Sequence, residues 1–303
     1  MICFDFAVIE LCRKYKIPFI VSTQNSVSNK KAALFYKSLG AKRIVLAREL
    51  KVKQIKEIGK IKNLEIEVFA HGAMCVAISG RCFLSQFLFN RSANRGECMH
   101  PCRRKYKITD SEKGYELELG EKTVMSAKDL CTIPFIKDLK RAGVSSFKIE
   151  GRNRDERYIS TVVKAYRRAI DEDLSADEAG NLIKEMEKVF NRGFSSGFYL
   201  GRPVYSDFAQ VENSASSFYR DYIGKTTHFY PKAGVILLRL SKKLKVGDKI
   251  IFIGKNIGIK EVVVKEMEIN NERFKEAGKG SEVGIRVDFK GKRGLDVYKV
   301  VQR

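Results

Sequence analysis

The sequence predicts an α/β protein: a partial TIM-type (β/α) barrel over residues 1–212, followed by a small, basic antiparallel β-barrel domain over residues 213–303. Short β-branched runs alternate with helical patterns through the first part, and short strands with glycine turns fill the last. Five of the seven cysteines crowd between Cys75 and Cys131, which marks a chemical centre inserted in the first domain.

Taken in order, Ile2-Cys3-Phe4 reads as a strand leading into a helix from Val8 to Tyr15. Phe19-Ile20-Val21 leads into a helix from Asn29 to Leu39, closed by Gly40. Arg43-Ile44-Val45-Leu46 precedes a helix from Val52 to Ile58, and Ile66-Glu67-Val68-Phe69 runs into the cysteine region. A helix from Cys131 to Ala142, a fifth strand at Phe147-Lys148-Ile149 and a long helix from Glu156 to Asp171 complete the repeating part. Ser195–Ser206, with its glycines and Pro203, reads as the hinge. Beyond it, strands are expected at Ala233–Leu240, Lys249–Ile253, Glu261–Met267, Gly284–Phe289 and Leu295–Val300.

A closed barrel of this kind needs eight strands, and five units do not close one. Two arrangements fit the pattern: an open doubly wound sheet, or a barrel without its first three units.

The chain has 303 residues and 44% hydrophobic content, enough for one large core and a smaller one. Lys and Arg number 58 against 36 Asp and Glu, a formal charge of +22, which favours a polyanionic partner such as tRNA or rRNA. The charge is spread along the chain, so a solvated lysine-rich surface is the competing reading. Ser214–Arg303 alone carries 20 Lys and Arg against 10 Asp and Glu, and a basic small barrel suits RNA docking. No stretch approaches the roughly 18 consecutive apolar residues of a membrane helix, and the N-terminus lacks a secretion pattern. A cytoplasmic protein without a membrane partner is therefore expected. An odd number of cysteines in that reducing compartment argues against structural disulfides.

Cys75, Cys82, Cys98, Cys102 and Cys131 follow one another at intervals of 7, 16, 4 and 29 residues. Sulfur ligands select zinc or iron–sulfur clusters. Structural zinc modules bring cysteines in as close pairs such as C-x₂-C, which do not occur here, so irregular spacing favours an iron–sulfur cluster, with zinc and inert or redox-active thiols as the alternatives. Cys3 and Cys12 lie in apolar patterns and read as small core residues.

Several runs carry a resemblance: Glu67 to Cys75, Ser79 to Ser85, Asn94 to Tyr106, Ser126 to Cys131, Phe147 to Arg152 and Asn191 to Phe198. Together they closely resemble the collagenase-like peptidase family U32, over nearly the whole chain. The resemblance implies hydroxylation more than proteolysis, since relatives include a tRNA hydroxylase making 5-hydroxyuridine at the wobble position and an rRNA cytidine hydroxylase. It implies prephenate as a small carboxylate oxygen donor and a four-iron, four-sulfur cluster on Cys75, Cys82, Cys98 and Cys131, with Cys102 as the alternative ligand. Against the family's complete barrel, this sequence corresponds to a start at the fourth strand.

Chemistry in such barrels sits where strands end. That places Ser22, Thr23, Gln24, Arg48, Glu49, His71, Glu150 and Arg152 around the cysteine loop. Arg48 or Arg152 suits a carboxylate or phosphate, and Glu49, Glu150 or His71 suits proton transfer to the base being modified. Rim salt bridges, or a turn cap for His71, are the structural alternatives. Arg103, Arg104, Lys105 and Tyr106 are expected to grip RNA phosphate and stack a base, or else to form a solvated basic loop. Proteolysis lacks H-E-x-x-H and has only Cys98 and His100 as a close thiol–imidazole pair. A non-catalytic RNA-binding remnant is the third possibility.

Overall fold

The computed structural model describes residues 1–75, 77–78, 81–104, 106–119, 126–152, 154–209, 214–254, 257–270 and 272–302. They divide into two compact units, residues 1–153 with 162–215, and residues 154–161 with 216–303.

In the first unit, β1 (Ile2–Cys3), β2 (Ile20–Val21), β3 (Arg43–Val45) and β4 (Glu65–Gly72) pair in parallel and in sequence order. Helices α1 (Phe6–Lys14), α2 (Lys30–Ser38) and α3 (Val52–Gly59) connect them. Each start has a local cause: Asp5 accepts from the amides of Ala7 and Val8, Asn29 from that of Ala32, and Gln54 Oε1 from that of Lys51. After α4 (Leu84–Phe89), the hairpin β5 (Tyr106–Thr109) and β6 (Glu116–Leu119), and β7 (Asp129–Cys131), helix α5 (Ile136–Arg141) leads to β8 (Ser146–Ile149). Strand β8 adds to β4 in parallel, so β1-β2-β3-β4-β8 runs without the order reversal that defines a doubly wound sheet. Then come α6 (Glu156–Asp171), α7 (Ala176–Glu187) and β9 (Phe194–Ser195), the last parallel to β7. The core gathers Val21, Ile44, Val45, Ile55, Ile66, Val68 and Leu139, all 0–1% exposed. Each such side chain contributes about 1.5–3 kcal/mol by leaving water.

Three expectations for this unit need correction. Cys131 does not open a helix: it ends β7, antiparallel to β4 opposite His71, and α5 begins only after a 3-10 turn at Ile133–Phe135 containing Pro134. Proline has no amide to donate, so the helix forms beyond it. Ser195–Ser206 is not a free hinge, because Tyr199 is buried, its hydroxyl donates to Phe69 O at 2.7 Å and its carbonyl accepts from Val52 N at 3.0 Å. Helix α7 went unread, although Ser175 and Glu178 form a capping box at its start.

The second unit is an antiparallel sheet of eight strands in the order β14-β13-β19-β10-β11-β18-β15-β16. Their ranges are β10 (Phe218–Tyr230), β11 (Val235–Leu240), β13 (Lys249–Gly254), β14 (Gly258–Val263), β15 (Met267–Ile269), β16 (Glu272–Phe274), β18 (Glu282–Arg286) and β19 (Asp296–Gln302). The short pair β12 (Leu244–Lys245) and β17 (Glu276–Ala277) lies outside that sheet. Its core holds Ile223, Ile236, Leu238, Ile250, Phe252 and Val297. The expected strand Glu261–Met267 is divided between β14 and β15. The 13-residue β10 escaped sequence reading because register shifts at Tyr222/Gly224 and Thr226/His228 break its two-residue alternation. Among the described residues, no helix is long and apolar enough to cross a membrane.

Gly59, at the end of α3, abuts the turn after α5: a Cβ on Gly59 would lie 2.1 Å from Ala142 O. Gly59→Ala should cost about 2–4 kcal/mol in urea unfolding, the cost of forcing two backbones apart.

Candidate functional site

Beyond Gly72 the chain leaves β4 through Ala73 and the buried Met74 to Cys75, which is exposed. Two arginines hold this turn from separate elements. Arg48, just past β3, lays its guanidinium on the Phe69 ring at 3.8 Å and donates to Ala73 O at 2.9 Å. Arg103, 8% exposed, donates to Met74 O, to Ala127 O at 2.6 Å and to Ser126 Oγ at 3.4 Å.

Four thiols, those of Cys75, Cys82, Cys98 and Cys102, line one pocket of about 160 Å³. Backbone amides point at two of the sulfurs: Leu84 N donates to Cys82 Sγ and His100 N to Cys98 Sγ, each at 3.4 Å. The buried Ser85 adds its hydroxyl to Cys98 Sγ at 3.7 Å and accepts from Met99 N at 3.0 Å, tying α4 to the loop. Burial pushes the Cys102 thiol up; Arg103 opposes the shift, and the neighbouring thiols of Cys75, Cys98 and Cys82 add to it. Among the described residues, no three His, Cys, Asp or Glu side chains converge as the ligands of a metal ion would.

A second, more polar pocket of about 320 Å³ adjoins the first. Arg48, Cys75, Gly96, Glu150 and Arg152 line both. Gly96 sits at φ +89°, a conformation that favours glycine, and a Cβ there would lie 2.8 Å from Arg152 Nη1 and displace the guanidinium. Burial lowers the pKa of Arg48, opposed by the charges of Cys75, Glu150, Tyr199 and Glu49.

The sequence pattern described as Peptidase family U32 matches residues 1–207. The chain belongs to this family. It is 41% identical to an uncharacterized protease of Methanocaldococcus jannaschii over 97% of this chain and 75% of that one. It is 35% identical to a collagenase of Porphyromonas gingivalis over 100% and 77% of the two chains. With tRNA hydroxylation protein P1 of Bacillus subtilis it shares 36% identity over 84% of this chain and 62% of that one.

In this U32 protein, Arg48, Glu150 and Arg152 stand where both pockets meet, and Ser22, Thr23, Gln24 and Glu49 line the polar one. Cys131 does not join the thiol pocket. It is buried at the end of β7, its thiol pushed up to about 11 by burial, with the Tyr166 hydroxyl 3.9 Å from its sulfur. His71 lines neither pocket; 1% exposed, its ring packs against Tyr166 and Phe194 with centroids 5.4 Å away. Arg103 is no phosphate grip, being committed to the carbonyls above. Arg104 stacks on Phe89 at 4.7 Å, the Tyr106 hydroxyl donates to Pro101 O at 2.7 Å, and Lys105 lies outside the described residues. Lys148 was missed: it lines the polar pocket, 5.4 Å from the Phe69 centroid, but within Phe-Lys-Ile it reads only as strand.

Burial drives His71 from its ordinary 6.5 down to about 3. Between those values the unfolded chain holds a proton that the folded chain excludes, so His71's contribution is whole above pH 6.5 and is lost as pH falls. In denaturant titrations the wild type should lose about 1.4 kcal/mol more per pH unit below 6.5 than His71→Gln does; parallel slopes would remove burial as the cause.

Proposed function

We propose that this chain is an iron–sulfur-dependent RNA hydroxylase whose substrate is a tRNA wobble uridine, with a small carboxylate, prephenate, as the oxygen donor. The observation that carries this reading is that four thiols line one pocket, which shares a wall with a polar one. Further support comes from the relative named for tRNA hydroxylation and from the +22 charge. The parallel strands, laid down in sequence order, fit an arc of a (β/α) barrel whose strand ends carry the site.

The donor set suits a four-iron, four-sulfur cluster better than a single ion, because a cluster spreads its cysteines over several irons. Cys75, Cys82, Cys98 and Cys102 would hold it, and the amide bonds to Cys82 Sγ and Cys98 Sγ are of the kind that tune such centres. When bound, the cluster supplies the one-electron chemistry that activates the donor.

The remaining tasks fall to the polar pocket. Arg152 and Lys148 provide cations for the donor's carboxylates, while Arg48 occupies the common wall. Glu49, exposed in the polar pocket, and Glu150, whose Oε1 accepts from Arg152 N at 3.1 Å, are the proton carriers. The base exchanges a C–H bond for C–OH, gaining the oxygen atom that the donor loses. A peptidase reading draws on the collagenase-named relative and on Cys98 and His100 lining the same pocket.

Oxygen-free preparations should contain iron and acid-labile sulfide in equal amounts. Cys102→Ser should lose iron severalfold, and Cys131→Ser should keep it; the opposite pattern would move the fourth ligand to Cys131. Deletion of the gene should remove 5-hydroxyuridine from tRNA, as read by nucleoside mass spectrometry. An unchanged nucleoside profile together with Cys98-dependent gelatin cleavage would replace the hydroxylase by a peptidase.

A further inference from the structure

We infer that Arg48 and Arg103 are the counter-ions of the thiol pocket, setting the charge and hence the reduction potential of an iron–sulfur group held there by Cys75, Cys82, Cys98 and Cys102. This rests on the reading of the pocket as a cluster site. The two guanidiniums grip consecutive carbonyls, Ala73 O and Met74 O, immediately before Cys75, and both line the pocket that the four thiols line.

Neither arginine has a carboxylate within 4.0 Å among the described residues. Asp129, the carboxylate in electrostatic range of Arg103, is paired with Arg192 at 3.2 Å. The carboxylates that act on Arg48 are those of Glu150 and Glu49, neither within 4.0 Å, and they offset part of its charge. Carbonyl oxygens fix the position of a guanidinium but carry only partial charge. An anion between the two is therefore favoured, and the pocket wall they share carries Cys75, Cys82, Cys98 and Cys102, whose sulfurs become thiolates on taking up iron. Thiolates around an iron–sulfur core leave a net anion that grows on reduction. Two fixed cations in a site of low dielectric therefore favour the reduced form.

The test is a mediated redox titration of the full chain, prepared without oxygen and followed by visible absorption and electron paramagnetic resonance. Arg48→Gln should lower the reduced-to-oxidised ratio at fixed ambient potential on the order of tenfold, about 59 mV for a one-electron couple, and Arg103→Gln should shift it in the same direction. Arg48→Lys, which keeps the charge, should stay near the wild type. Loss of iron from both glutamine variants with retention in Arg48→Lys also supports the assignment. An iron-loaded Arg48→Gln with the wild-type midpoint overturns the counter-ion role alone, as does an Arg48→Lys shift as large as that of glutamine. A wild-type chain that takes up no iron overturns the reading of the pocket and this assignment with it.

Discussion

A single buried guanidinium, that of Arg103, joins three stretches of chain far apart in sequence: the exit from β4 at Met74, the loop at Cys102, and the approach to β7 at Ser126 and Ala127. The cysteine region leaves many of its large apolar side chains in water, Ile78, Phe83, Phe87 and Met99 being 68%, 78%, 85% and 51% exposed. Its shape therefore depends on directed polar bonds. A planar group with several donors in fixed geometry can satisfy three acceptors at once, which an ammonium on a flexible stem does poorly.

That arrangement determines where the site opens. The turn that Arg103 and Arg48 fix carries Cys75 into the boundary between a sulfur-lined cavity and a polar one. The sheet below is rigid and closely packed, with Ile44, Ile66 and Val68 excluded from water. An irregular loop on that base lets the sulfurs be placed by a few directed bonds without disturbing the core.

The repeating strands and helices of the first unit were legible because buried parallel strands read as uninterrupted apolar runs bounded by caps. Where local chemistry interrupted the pattern, reading failed. Pro134 displaced a helix start, and two bulges hid a 13-residue strand. At the site, the sequence marked the sulfurs and the strand-end charges but could not say which met. Whether Cys102 or Cys131 joins the others depends on the antiparallel pairing of β7 with the end of β4, a non-local contact without a short-range signature. His71 likewise reads as a strand-end residue; its burial against Tyr166 depends on a helix 95 residues away.

Strand β4 is paired along both edges, and from Ile66 to Gly72 every residue is buried. Its side chains alternate between faces, so one inserted residue would turn every later side chain through to the other side. Phe69 would leave the guanidinium of Arg48, and His71 would leave Tyr166. This strand therefore tolerates no change in length between Ile66 and Gly72, where the ladders along its two edges count the residues.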